Sequence, residues 1–114
     1  MIRVTVTYFK QAGARFDMDY YMTTHMPMVE RLMRPKGMLG WSVDTGVEGI
    51  LPAMLPDFQA QAQMIFENLS DFQAALAAES AALLADIPKF TDIQPRIQVS
   101  SIAAAQWPAV RAGA

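Results

Sequence analysis

The stretch AQAQMIFENLSDFQAAL, residues 60–76, carries the clearest structural signal in the chain because its hydrophobic period changes midway. The first half alternates apolar and polar residues, which predicts a strand with one buried face. Its inward residues are Ala62, Met64 and Phe66. Ser70 and Gln73 then form a capping-box pattern, which predicts the start of a helix. Apolar residues follow at helical spacing until Pro88, at Phe72, Leu76, Leu83 and Ile87.

The N-terminal part of the chain repeats this order of strand and helix. MIRVTVTYF, residues 1–9, alternates so that one face carries Ile2, Val4, Val6 and Tyr8. After the turn KQAGAR, Asp17 is placed to cap a second amphipathic helix. That helix is predicted to run to about Arg34, with a disturbance at Pro27.

A further strand and a long loop lie between these two units. MLGWSVDT, residues 38–45, alternates and places Leu39, Trp41 and Val43 on one side. GVEGILPAMLPDF, residues 46–58, contains two glycines and two prolines, which oppose both helix and central strand. We interpret it as a loop that is either a lid or binding element or a plain connector.

A last strand completes a four-stranded sheet. PRIQVSSIA, residues 95–103, alternates with Ile97 and Val99 on one side. The order strand, helix, strand, strand, helix, strand predicts an α+β split βαβ sandwich, an antiparallel sheet with both helices on one face. The other face is polar and would meet either water or a second copy of the chain. Its residues are Arg3, Thr5, Thr7, Gln61, Gln63, Glu67, Arg96 and Gln98.

Composition limits the classes of function. At 114 residues the chain predicts a single domain, over residues 1–105, with a C-terminal tail over 106–114. A net charge of -2 with scattered Lys and Arg argues against nucleic acid. The absence of cysteine excludes disulfides and thiolate metal sites, and with a single histidine a multi-histidine metal site could arise only across subunits. No stretch approaches the roughly 18 apolar residues of a membrane span, so a soluble cytoplasmic protein is expected.

The only histidine, His25, lies two residues before Pro27. In a regular helix one stripe facing the sheet would hold Tyr21, His25, Met28 and Leu32. Pro27 cannot donate a hydrogen bond to the carbonyl of Thr23, so the helix should kink and open a pocket beside His25. An apolar pocket lowers the pKa of an imidazole, which leaves a neutral base able to take a proton from an acidic carbon or phenol.

Each candidate residue also has a packing interpretation. His25 could simply bond the freed carbonyl or a neighbouring side chain. Tyr20 and Tyr21, the candidate partners of His25 in proton transfer, fit core packing as well. The residues predicted to line the pocket are Tyr8, Met28, Trp41, Met64 and Phe66. Of these, Trp41, Met64 and Phe66 fit a packed core first and a pocket lining second.

Several motifs together resemble the EthD family, named after ethyl tert-butyl ether degradation. They are FDMDYYMTTHMPMVERL at 16–32, GWSV at 40–43, AQAQMIFENLSDFQAAL at 60–76 and ALLADIPKFTD at 82–92. The resemblance covers the chain from Ile2 to about Ile102, and the family's histidine and tyrosine pair match His25, Tyr20 and Tyr21. It implies a ferredoxin-like monomer of the dimeric α/β barrel superfamily, which forms homodimers by packing two sheets face to face.

The resemblance also implies a cleft between sheet and helices in which a histidine or tyrosine moves protons. Relatives include isomerases, polyketide cyclases, cofactor-independent monooxygenases and haem-degrading enzymes. The chain lacks the cleft cysteine of methylisomerase relatives. The leading hypothesis is a homodimer that performs cofactor-independent proton transfer on a hydrophobic aromatic, lactone or polyketide-like compound. The alternatives are a non-catalytic accessory or carrier of such a molecule, and a haem- or flavin-associated oxygenase. The last is weakened by the single histidine and the absence of a phosphate-binding glycine loop.

Overall fold

A computed structural model describes residues 1–108 of the chain. Its strands are β1 (Ile2–Phe9), β2 (Met38–Thr45), β3 (Phe58–Phe66) and β4 (Arg96–Ser101). They form one antiparallel sheet in the order β2-β3-β1-β4. The predicted α+β fold with a four-stranded antiparallel sheet is confirmed. The predicted tail, residues 106–114, lies mostly outside the described residues.

Two helical regions cover the sheet. The first comprises α1 (Met18–Tyr20), a π-helical turn (Tyr21–His25), α2 (Met26–Met33) and a 3-10 turn (Arg34–Lys36). The second comprises α3 (Leu69–Asp86) and a 3-10 turn (Ile87–Lys89). Below we call residues 18–36 the first helical region. Residues 46–57 form the predicted loop between β2 and β3.

The two central strands bury the faces that their alternation predicts. Val4 and Tyr8 of β1 are buried, and so are the three inward residues of β3, which are Ala62, Met64 and Phe66. Thr7, predicted on the open face, is also buried. The register sets Val4 opposite Met64, so these side chains form one continuous apolar layer.

In β2 the alternation is interrupted near its start. Met38 pairs with Phe66, whereas Gly40 pairs with Ile65, so Leu39 is an extra residue in this ladder. As a result Met38 is buried and Leu39 is half exposed, and the prediction that Leu39 shares one side of the strand with Trp41 and Val43 is wrong. Trp41 and Val43, beyond the bulge, pack against the core as predicted.

Both helical regions begin with side-chain caps, one of them displaced from its predicted position. The carboxylate of Asp17 accepts a hydrogen bond from the backbone N–H of Tyr20 at 3.1 Å, as predicted. At α3 the cap is Asn68, whose side-chain oxygen accepts from the N–H of Asp71 at 2.9 Å. The predicted capping box at Ser70 is therefore wrong, because the helix already begins at Leu69.

The disturbance near Pro27 takes the form of a π-helical turn. The N–H of Met26 donates to the carbonyl of Tyr21, five residues earlier, so this turn holds one more residue than an α-helical turn. Met26 itself has helical angles (φ -65°, ψ -39°), although a residue before a proline is biased away from them. Pro27 lies in the first turn of α2, where its missing N–H is tolerated.

The extra residue rotates the inward stripe by one position. Tyr21 and His25 are buried as predicted, but the stripe then continues through Met26, Val29 and Met33. Met28 and Leu32, which a regular helix would bury, are only partly covered. The π turn thus places two consecutive side chains, His25 and Met26, in the interior.

This rotation predicts unequal costs for truncating two neighbouring side chains. Met33→Ala should lower the free energy of unfolding by roughly 2–5 kcal/mol, because it empties a fully buried site. Leu32→Ala, its partly covered neighbour, should cost clearly less. Urea denaturation of both variants measures the difference. A larger loss for Leu32→Ala would show that the helix keeps the regular register.

Candidate functional site

An apolar cavity of about 470 Å³ lies between the sheet and the two helical regions. The sheet contributes Val4, Val6, Tyr8, Ala62, Met64 and Ile97. The first helical region contributes Tyr21, His25, Met26, Val29 and Met33. The second helical region and its connection to β4 contribute Phe72, Gln73, Leu76, Ala77, Ser80, Leu83, Leu84, Ile87 and Pro95. The volume lies within the range of roughly 300–1,000 Å³ that is usual for small-molecule sites.

The cavity has a deep end and an open side. Tyr8, Tyr21 and His25 are almost completely buried and form the deep end. Leu84 and Ile97 also line the cavity but are 58% and 55% exposed, so the cavity opens to solvent between α3 and the edge strand β4. A ligand can therefore enter from this side without unfolding of either helical region.

His25 is held by a carboxylate at the end of α3. Its Nδ1 lies 2.8 Å from Oδ2 of Asp86, and both side chains are buried. Because a carboxylate only accepts hydrogen bonds, we assign the ring proton to Nδ1. The imidazole then keeps an unprotonated Nε2 on a ring that lines the cavity.

Asp86 has further partners that keep it ionised. The hydroxyl of Tyr20 donates to Oδ1 at 2.8 Å, and Nζ of Lys89 lies 3.7 Å from the same oxygen. Burial raises the pKa of Asp86, but the hydrogen bonds from His25 and Tyr20 outweigh it and leave the pKa below its ordinary value. The carboxylate therefore stays charged at neutral pH.

For His25, the effect of burial on the pKa outweighs that of the hydrogen bond to Asp86. Removal of the ring from water lowers the pKa of His25 below its ordinary value of 6.5, and this outweighs the raising effect of Asp86. The imidazole is consequently neutral at pH 7. A neutral imidazole with a free Nε2 in an apolar cavity is equipped to accept a proton.

Aromatic rings fix the orientation of the imidazole. Tyr21 stacks on His25 with a centroid distance of 5.6 Å and an interplanar angle of 15°. Phe90 contacts the same ring at 4.7 Å, and Tyr8 meets Tyr21 edge to face at 5.7 Å. Packing on several sides leaves the ring little rotational freedom, so the His25–Asp86 bond has a defined geometry.

The structure brings together four of the eight residues predicted for the site. Tyr8, Tyr21, His25 and Met64 line the cavity. Tyr20 does not, because its hydroxyl is engaged by Asp86.

The other three predicted residues also lie outside the cavity. Met28 is displaced by the π turn. Nε1 of Trp41 donates to Glu30 at 2.7 Å, and Phe66 packs against Phe72 in the core. The functional roles assigned to all eight residues stay predictions.

Sequence reasoning missed Asp86. One local feature could have indicated it. An acidic side chain in the last turn of a helix interacts unfavourably with the helix dipole, which indicates a role other than stabilising the helix. Its partner His25 is 61 residues away in the chain, so only the fold reveals the pair.

Residues 1–108 contain neither a membrane-spanning helix nor a metal-binding cluster. No helix there is long and apolar enough to cross a membrane. No group of three or more His, Asp or Glu side chains is arranged to hold a metal ion in that part of the chain.

Comparison with known proteins places the chain in a family. The model of the EthD domain matches residues 13–94. An EthD-like protein from Ralstonia eutropha JMP134 is 34% identical, with a TM-score of 0.85 over 92% of this chain and 94% of that one. No curated protein sequence matches.

More distant structures share the fold alone. An ethyl tert-butyl ether degradation (EthD) family protein from Bacillus halodurans C-125 is 19% identical, with a TM-score of 0.68 over 89% of this chain and 97% of that one. HapK from Hahella chejuensis is 11% identical, with a TM-score of 0.61 over 96% of this chain and all of that one (100%). The domain match and the 34% identical structure together establish that this chain belongs to the EthD family.

Proposed function

We propose that the protein binds a hydrophobic, oxygen-bearing small molecule in the cavity and catalyses a cofactor-independent proton transfer. His25 is the base in this proposal, and a tyrosine is the hydrogen-bond donor. The observation that carries it is the imidazole of His25, held by Asp86 at 2.8 Å and lining an apolar cavity. Titratable groups with perturbed pKa values in a cleft are typical of catalytic sites.

The chemistry requires no group beyond the side chains present. Nε2 of His25 takes a proton from a carbon next to a carbonyl, and the electrons of the broken C–H bond form a C=C bond. The carbonyl oxygen becomes an enolate oxygen, which a tyrosine hydroxyl stabilises by a hydrogen bond. In an unsaturated ketone the enolate is a dienolate, and return of the proton from the imidazolium to its γ-carbon yields an isomer. In a substrate with a second carbonyl, attack of the enolate carbon on that carbonyl closes a ring, and the alkoxide that forms takes the proton back from the imidazolium.

Tyr21 and Tyr8 suit the donor role better than Tyr20. Both line the cavity, and burial raises the pKa of each phenol, so both stay protonated at any physiological pH. The hydroxyl of Tyr20 is already donated to Asp86. In this proposal Tyr20 therefore positions Asp86, which in turn positions His25.

Deuterium exchange tests the base assignment. The protein should accelerate exchange of the α-protons of an enolisable ketone such as 2-tetralone in D2O, followed by proton NMR. His25→Gln should lower the rate by roughly 10²–10⁴-fold, the usual contribution of a general base. The wild-type rate should rise with pH to a plateau, with a midpoint below 6.5, because the pKa of His25 is lowered.

Thr24→Ala is the matched control for this experiment. Thr24 lies in the same π turn, is exposed and does not line the cavity, so this variant should exchange at the wild-type rate. Undiminished exchange in a folded His25→Gln protein would refute the base assignment. Ligand binding without any exchange in the wild-type protein would instead favour the carrier function.

We also propose that the protein is a homodimer formed through the open sheet face. Two features support this. Nε of Arg3 on that face is buried without a hydrogen-bond partner among residues 1–108. The 46–57 loop exposes large apolar side chains, which are Val47, Ile50, Leu51 and Leu55, and such patches mark interaction surfaces.

Light scattering tests the dimer. The wild-type protein should show twice the mass of one chain at micromolar concentration. Thr5→Arg, in the middle of the open face, should shift it toward the monomer by adding an unpaired charge to the interface. Ala82→Arg, on the exposed side of α3, should have no effect on the mass. A wild-type mass of one chain at every concentration would contradict the proposal.

A further inference from the structure

The described residues that line the cavity include no lysine and no arginine. Lys89 faces the outer oxygen of Asp86 and is 65% exposed, and the guanidinium of Arg96 lies over the ring of Phe9. The guanidinium of Arg15 donates to the carbonyls of Pro88 and Lys89, outside the cavity. An anion entering the cavity would thus lose its water without meeting a cationic partner, which is strongly unfavourable.

Asp86 adds to this exclusion of anions. Its ionised carboxylate lies directly behind His25 at the deep end. A carboxylate or phosphate of a ligand would approach this fixed negative charge in an apolar environment, where repulsion is poorly screened. The charge distribution therefore disfavours acids, phosphate esters and coenzyme A esters as ligands.

The deep end nevertheless offers hydrogen-bond donors. Within residues 1–108, no side-chain hydrogen bond engages the hydroxyl of Tyr8 or that of Tyr21, and both rings line the cavity. Neither oxygen is both fully enclosed and unpartnered within residues 1–108, so both hydroxyls are accessible from the cavity. A ligand oxygen that accepts hydrogen bonds can therefore bind there.

We infer that the cavity takes an uncharged carbonyl compound, which enters with its oxygen toward Tyr8 and Tyr21 and leaves its apolar part against Leu84 and Ile97 at the opening. The inference rests on the proposed function for the reaction that follows binding, in which the same oxygen becomes the enolate oxygen. It separates the protein from catalysts that act on lactone acids or on thioesters of coenzyme A.

Three ligands with one carbon skeleton test the inference by calorimetry. They are 2-tetralone, tetralin and tetralin-2-carboxylate, which are a neutral ketone, a hydrocarbon and an anion. The ketone should bind about tenfold more tightly than the carboxylate or better, because no cation offsets the cost of burying the charge. It should also exceed the hydrocarbon, by roughly 2- to 10-fold, through its hydrogen bonds.

Two sets of variants locate these effects. The double variant Tyr8→Phe, Tyr21→Phe keeps both rings and should remove the advantage of the ketone over tetralin. Leu84→Lys, at the opening, should raise the affinity for the carboxylate, whereas Ala82→Lys, on the exposed side of the same helix, should not.

The outcomes of this test and of the exchange experiment are distinguishable. Tighter binding of the carboxylate than of the ketone by the wild-type protein overturns the inference, even if exchange is catalysed. If the double tyrosine variant still binds the ketone more tightly than tetralin by the wild-type factor, the inferred orientation of the carbonyl oxygen toward Tyr8 and Tyr21 is wrong. The expected affinities without catalysed exchange uphold the inference and refute the proposed catalysis.

Discussion

The hydrogen bond between Nδ1 of His25 and Oδ2 of Asp86 joins the π turn to the last turn of α3. The two atoms are 2.8 Å apart, and both side chains are buried. The rest of α3 is buried only near its beginning, at Phe72 and Ala75. The helix is thus fixed at both ends, while its middle faces the cavity with Leu76, Ala77 and Leu83. The space between α3 and the sheet depends on this arrangement, because a helix that packed along its full length would fill it.

The same bond determines the chemistry of the imidazole. A buried carboxylate without partners would be expensive, yet Asp86 is bonded by His25 and Tyr20 and lies near Lys89. Three neighbours for one carboxylate form a network rather than an isolated pair. The network fixes which nitrogen of His25 carries the proton and therefore which nitrogen is available to a ligand.

The π turn allows His25 to reach Asp86 while Met26 also packs in the interior. In a regular α-helix, His25 and Met26 would be separated by about 100° around the axis, so only one of them could face the sheet fully. The wider turn brings both inward. Pro27 is compatible with it because proline is well suited to the first turn of the helix that follows.

The sequence predicted those features that depend on local periodicity. The alternation in β1 and β3, the cap at Asp17 and the order of elements follow from neighbouring residues, and the structure has them all. Errors arose where one extra residue shifts a register, as at Leu39 in β2 and in the π turn before Met28. Such insertions are set by tertiary packing and leave no periodic signal.

The candidate site was predictable only in part, for a related reason. His25 was identified because it is unique in the chain and stands before a proline. Asp86 was not, since its role depends on a contact across 61 residues. The hydroxyls of Tyr20 and Tyr21 also diverge in the structure, although the two residues are adjacent, because successive residues on a helix point about 100° apart.

Nitrogen NMR of the imidazole is the most direct measurement of the central claim, that Asp86 holds His25 as a neutral base with a free Nε2. Because the chain has a single histidine, the ¹⁵N signals of its ring need no assignment by mutation. At pH 7 the account predicts a protonated Nδ1 and an unprotonated Nε2. A proton on Nε2, or on both nitrogens, would contradict it.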